Sequence, residues 1–237
     1  MWYFWCVGKV IDIYGGKDPR MVPRYGVGEA ALYLRMPRAT LKTWVHGRVD
    51  QNGHEVEPVI KLPASSGLLS FQNLVEAHVL GAIRRQHGVS LQRVRKALRF
   101  VERRIHQPHP LVTVEFQTDG VDLFVRELGR LINASGAGQT QIDEAIRRSL
   151  ERIDRDEAGV AARLFPFVRG TEGEPKVILM DPKISFGKPV IINTGIPASV
   201  IVGRYRAGED PKAIADDYGI PPDHVNDAIR TAIPAAA

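Results

Sequence analysis

GVGEAALYLRMPRATLKTWVHG, residues 26–47, decides the reading of the fold. Residues 26–34 form a short helix by spacing, because Ala30, Ala31 and Leu34 share one face at intervals of three and four. Met36-Pro37 stops it, since proline has no amide to donate and disfavours helical backbone just before it. A second helix runs through Leu41, Trp44 and Val45 and stops at Gly47. The small pair Ala30-Ala31 lets the two helices approach, and Leu41, Trp44 and Val45 close a small core. Arg38, Thr40, Lys42 and Thr43 are left on the outside, where such residues can bond base edges and phosphates from the major groove. The bland alternative is a solvated helix face.

Working outward, Arg48 opens a stretch with an Asn52-Gly53 turn and an alternating run from Glu55 to Leu62, the pattern of a hairpin wing. Ser70 is placed to cap a helix over 71–86, which Gly88 ends. Ser90 caps the next helix, in which Leu91, Val94, Leu98, Val101 and Ile105 recur at intervals of three and four. That stripe packs a core or a dimer. Arg93, Arg95, Lys96, Arg99, Arg103 and Arg104 cover the other faces, where they contact phosphate or keep a surface helix solvated. Pro108 and Pro110 mark a boundary.

The middle of the chain reads differently. Residues 111–116 and 121–125 flank Thr118-Asp119-Gly120 as a β-hairpin, with a third strand over 129–132 and a loop at 136–138. Thr140, paired with Asp143 in a capping-box pattern, begins a helix carrying Ile142, Ile146, Leu150 and Ile153. Apolar runs at 164–168 and 177–180 read as strands. A strand and turn over 186–197 follows, then a helix to Arg206. Pro211 starts another helix, and Pro222 sits in the first turn of the last, which buries Val225, Ala228 and Ile229.

Charge divides the chain. Residues 1–110 hold 17 Lys and Arg against 8 Asp and Glu, and residues 111–237 hold 15 against 19. A DNA reader needs a positive flank to meet phosphate, so the first two helical pairs qualify and the third fits a protein partner. No stretch reaches the roughly 18 apolar residues of a membrane helix. The aromatic start, Met1 to Val7, lacks a basic leader and a cleavage site, and Met21 is an alternative start. Cys6 is the one cysteine, which excludes an intrachain disulfide and a cysteine-rich zinc site. These features fit a cytoplasmic protein. His106 and His109 stand in a proline turn without acids, and His54-Glu55 lacks a second histidine. Gly26 and Gly28 lack a phosphate-binding lysine, and Ser65-Ser66 has no nucleophile context. No enzyme, catalytic residue, metal or cofactor is expected on this pattern.

Gly187-Lys188-Pro189-Val190-Ile191, then Thr194, Ile196 and Pro197, then residues 208–220, resemble a bacterial antitoxin family first catalogued as a domain of unknown function and found beside PIN-type ribonuclease toxins. Asn193 stands where that family has Gly, and Gly195 where it has Arg. The whole layout looks like a large VapB-type antitoxin. Separately, residues 91–98 and the first helical pair resemble MerR-type regulators. The antitoxin resemblance implies operator binding with self-repression, and neutralisation of a metal-dependent ribonuclease. It implies toxin contact through Lys188, Pro189, Thr194, Arg204 and Arg206, because a basic side chain can compete with metal or substrate phosphate in a carboxylate cluster.

The expectation is an α+β, mostly helical chain. Residues 21–108 form winged, MerR-like helix-turn-helix units that bind DNA through Arg38, Thr40, Lys42, Thr43, Arg48, Arg93, Arg95 and Lys96. Residues 109–180 form a small mixed α/β region, and 181–237 a tri-helical toxin-binding unit. The expected partners are operator DNA, a PIN-like toxin and a second copy in a homodimer, with no membrane. One alternative is a stand-alone MerR-like regulator sensing a small molecule, which an apolar pocket with convergent polar groups in 111–180 would favour. A structural interaction protein without DNA affinity is another.

Overall fold

In the computed structural model the described residues are 14–49, 53, 55–63, 66–87, 90–106, 109–171 and 173–233, with the side chains of 84–87 excepted. The readings of Met1–Val7, Cys6, Asn52, His54, Ser65, Gly88 and Pro108 lie outside them. Helix α1 (Val27–Tyr33) and helix α2 (Arg38–His46) are joined by a short turn. Strands β1 (Arg48–Val49) and β2 (Glu55–Val56) pair antiparallel. Helices α3 (Phe71–His87), α4 (Leu91–Ile105), α5 (Val121–Ile132) and α6 (Gly136–Leu150) follow. Strand β3 (Ile153–Arg155) pairs antiparallel with β4 (Ala161–Leu164), and β5 (Ile178–Leu179) with β6 (Val190–Ile191). Helices α7 (Ala198–Arg206), α8 (Pro211–Tyr218) and α9 (Pro222–Arg230) complete a mixed α/β fold, helical over about 54% of the chain.

The 111–125 hairpin and the strand over 129–132 are corrected. Residues 110–112 make one 3-10 turn, and 116–120 make a π turn running directly into α5. Phe116, Val121, Phe124, Val125 and Leu128 are all buried, a helical set that the branched residues and Asp119-Gly120 had disguised as strand and turn. Gly120 is there for close approach: a Cβ on it would sit 2.8 Å from the Phe116 ring. That ring meets Phe124 edge-on at 6.2 Å. The 136–138 loop is likewise the first turn of α6, capped by Ser135, whose Oγ accepts from the Gly138 amide at 3.2 Å. Ile153 leaves the α6 stripe and opens β3. The strand read at 164–168 ends at Leu164.

One core runs from Tyr25 and α1 through α6 to Leu164 and Met180, across the prolines near 110. A second gathers Val168, Val177, Ile178, Ile191 and the inner faces of α7, α8 and α9. Leu164 and Met180 exchange backbone bonds of 2.9 and 2.8 Å at the edge of the first, two residues along the chain from Ile178 of the second.

Buried polar groups brace that junction. Glu174 accepts from the amides of Val168, Arg169 and Gly170 at 2.7, 2.9 and 2.7 Å, closing the loop that Arg152 secures by donating to the Phe165 and Glu174 carbonyls. Arg169 pairs with the fully buried Asp227 of α9 through two nitrogens, and Arg230 adds a third tie.

A second polar network lies under α3. Ser70 and Asn73 cap each other, Asn73 donates to Glu76, and His109 Nδ1 lies 2.8 Å from Glu76 Oε1. The Glu76 carboxylate raises the His109 pKa against the opposing effect of burial. A histidine that binds its proton more tightly when folded stabilises the fold fully below its ordinary value of about 6.5. That contribution is lost as pH rises through the raised folded value. Thermal unfolding followed from pH 5.5 to 8.5 (roughly one unit below to two above that value) should show a falling midpoint that His109→Gln flattens.

Candidate DNA-reading and partner-binding surfaces

The turn between α1 and α2 is tight and anchored. Arg35 sits in left-handed backbone at φ 48. The Met36 amide donates to the Ala31 carbonyl at 2.9 Å. On the inner side of α2, Leu41, Trp44 and Val45 are 0, 1 and 4% exposed, against Ala30 and Ala31 at 0 and 3%. Two helices of seven and nine residues have little area to bury, so their alanines matter: each brings α2 closer to α1.

On the outer side, Arg38, Lys42 and His46 are exposed at intervals of four, one face of a helix. The Arg38 guanidinium lies over Gly28, within 4 Å of where a Cβ would stand. Thr40 and Thr43 are half-buried at the margin. The Thr43 hydroxyl donates to the Ala39 carbonyl at 3.0 Å. Arg38 and Lys42 are thus the pair whose charges stand clear.

The wing and α4 join this face through two ties. The Trp44 carbonyl accepts from the amides of Val59 and Ile60 at 2.8 and 3.0 Å, holding the chain after β2 on the end of α2. Glu57 then meets α4: its carbonyl accepts from Arg95 and its carboxylate pairs with Arg99. Arg48 and Val49 are exposed on β1, and Arg93 and Lys96 are exposed on α4. Arg95 is half-buried against the wing, and burial lowers its pKa. It positions the wing, unlike Arg93 and Lys96, whose heads are exposed.

The C-terminal residues separate in the same way. Lys188 and Arg206 are exposed, and neither is in an ion pair among the described residues. Pro189 is buried, and its carbonyl accepts from Ala198 to start α7. Thr194 holds the turn after β6: its hydroxyl donates to Ile191 at 2.9 Å and accepts from the Ile196 amide at 3.0 Å. Arg204 is spent inside the unit, paired with Glu209 and Asp217 and stacked over Tyr218, its pKa raised by the Glu209 bond.

This unit touches the α1–α2 unit at both ends of α1. The Tyr25 hydroxyl donates to the Gly187 carbonyl at 2.9 Å in a buried site. Arg35, in the α1–α2 turn, donates to the Arg230 carbonyl at 3.0 Å. Sequence reading gave no role to Tyr25 or Arg35 and counted Asp227 among the exposed acids of the tail, whereas Asp227 is fully buried; the partners of all three lie more than 50 residues away.

Two family descriptions match these regions. "Putative DNA-binding HTH domain" covers residues 23–98, from Tyr25 into α4, and "Protein of unknown function (DUF433)" covers 178–231, from β5 through α9. "Putative antitoxin VapB45" of Mycobacterium tuberculosis is 32% identical over 228 residues, which cover 88% of this chain and 93% of that protein. The chain belongs to the VapB45 antitoxin family. "Uncharacterized protein Rv2308" of the same organism is 24% identical, over 86% of this chain and 88% of its own length. The crystal structure of Rv2018, also from Mycobacterium tuberculosis, superposes with a TM-score of 0.65 at 29% identity, covering 88% of this chain and 98% of that one. Kinship with VapB45 therefore spans both the basic α2 face and the strand-and-helix unit that carries Lys188.

No helix among the described residues is long and apolar enough to cross a membrane. No group of three or more His, Cys, Asp or Glu among them is placed to hold a metal.

Proposed function

We propose that the chain is the antitoxin of a type II toxin–antitoxin pair, acting in the cytoplasm as a homodimeric autorepressor and as inhibitor of a PIN-like ribonuclease. The observation that carries this is near-full-length kinship with VapB45, combined with an exposed basic face on the second helix of the matched helix-turn-helix region.

In this reading α2 enters the major groove with Arg38 and Lys42 leading. Arg48 on the wing and Arg93 and Lys96 on α4 meet phosphate, while Thr40 and Thr43 line the margin, as in a MerR-like winged arrangement. A symmetric dimer reads two half-sites about 34–36 Å apart. The C-terminal unit takes the toxin. A PIN-like site is a carboxylate cluster holding divalent metal, so Lys188 or Arg206 entering it competes with metal or with RNA phosphate.

A gel shift with the DNA upstream of the chain's own gene tests the repressor half. Retardation that resists nonspecific competitor and weakens with salt is expected. Equal affinity for unrelated DNA would remove the operator role. A second reading, a ligand-sensing regulator, is favoured by a cavity of about 620 Å³ between α6 and the loop 167–176. Its Arg152 and Glu174 are already bonded to backbone groups, which leaves the antitoxin reading ahead.

A further inference from the structure

Phe186 is 65% exposed, and its backbone lies at φ 53 and ψ 34. Ser185 before it stands at φ 46 and Gly187 after it at φ 75, so three consecutive residues hold left-handed conformation. That conformation is costly for Ser and Phe, and it persists only where surrounding structure enforces it. Here the enforcement is visible. The Gly187 amide donates to Ile184 at 2.8 Å and the Lys188 amide to Ser185 at 3.1 Å, while Tyr25 grips the Gly187 carbonyl from the other unit. At the start of the loop the Lys183 amide donates to the Asp181 carboxylate at 2.8 Å.

The result is an aromatic residue whose backbone is fixed in a costly conformation while its ring stands in solvent. The turn serves the Tyr25 bond, which uses the Gly187 carbonyl and not the Phe186 ring. Backbone fixed in advance favours a tight contact, because part of the ordering cost is met before the partner arrives. Lys183 and Lys188 are exposed on either side of it, and neither is ion-paired among the described residues.

We propose that Phe186 is the anchor by which this chain grips its toxin, inserting into an apolar pocket whose acidic rim pairs with Lys183 and Lys188. This rests on the toxin reading above. Charge complementarity selects the occupant. A carboxylate-lined nuclease supplies the acidic rim, whereas a two-fold contact between copies of this chain would set the same lysines against each other.

The test is calorimetric titration of the full chain with the protein encoded next to it, using Phe186→Asn and Lys188→Glu. Asparagine removes the ring yet tolerates left-handed backbone, so Phe186→Asn should keep or raise the melting temperature. It should weaken toxin binding about tenfold or more, as loss of a central aromatic anchor does. Lys188→Glu should weaken binding most at low salt. If wild type binds and Phe186→Asn binds within about twofold of it, the anchor is wrong and the toxin reading survives. If wild type does not bind, both fall. If Phe186→Asn dissociates a dimer and leaves toxin affinity unchanged, the ring belongs to a self-contact and the proposal is overturned.

Discussion

Replacing Arg38 and Lys42 together by alanine should weaken binding to the chain's upstream DNA by about ten- to a hundredfold, against roughly 1–3 kcal/mol for each base-directed contact and less for a phosphate contact. Both side chains stand on the exposed face of α2, opposite Leu41, Trp44 and Val45, so their removal leaves the core intact. The melting temperature should therefore stay close to that of wild type. The salt dependence should flatten too, because each lost phosphate contact lowers the slope of log affinity against log salt by about one. Arg95→Ala provides the contrast. It frees the Glu57 carbonyl and loosens the wing from α4, so it should cost stability as well as affinity. Equal operator affinity for wild type and the Arg38–Lys42 double variant, across a salt series, would take α2 out of the groove.

Gly187→Ala should lower unfolding stability by about 2–4 kcal/mol, combining a lost buried hydrogen bond with the left-handed penalty of a side chain. A Cβ at this position would lie 2.2 Å from the Tyr25 hydroxyl oxygen, and its backbone is at φ 75. The methyl group cannot coexist with the Tyr25 bond, so the loop must leave the start of α1 or distort. Tyr25→Phe separates the two contributions. It removes the donor, keeps the ring and leaves the glycine conformation free, so about 1–2 kcal/mol should be lost. Urea unfolding of the three proteins measures both steps. Wild-type stability in Gly187→Ala would show that the two units are not joined at this bond.

The glycine of the Gly187-Lys188-Pro189 motif thus has a mechanical role that spacing alone does not reveal. The same limit explains what the sequence could and could not show elsewhere. The α1–α2 pair was legible because the short apolar intervals, Pro37 and Gly47 are all local signals that bound or pattern a single helix. The α4 stripe was legible for the same reason. The 111–132 segment was not. Its branched residues, and an Asp-Gly pair typical of hairpins, point locally to strands, while burial of Phe116, Phe124 and Leu128 against the core makes it helical. Among the site residues, Arg38 and Lys42 stand exposed as their helical spacing has them, and Lys188 and Arg206, which the antitoxin resemblance pointed to, are exposed as well. Arg95, Arg204 and Thr194 carry the right chemistry in the sequence, but neighbours take up their polar groups. Which cation is left free is settled by tertiary partners, and those lie beyond any local motif.

The central claim is that this chain silences a nuclease. The direct measurement is cleavage of a defined RNA by the protein encoded beside this chain, with divalent metal present, as the full chain is titrated in. The prediction is loss of cleavage as wild type is titrated in, with Lys188→Glu or Phe186→Asn needing about tenfold more chain for the same loss. Undiminished cleavage in the presence of excess full-length chain would contradict it.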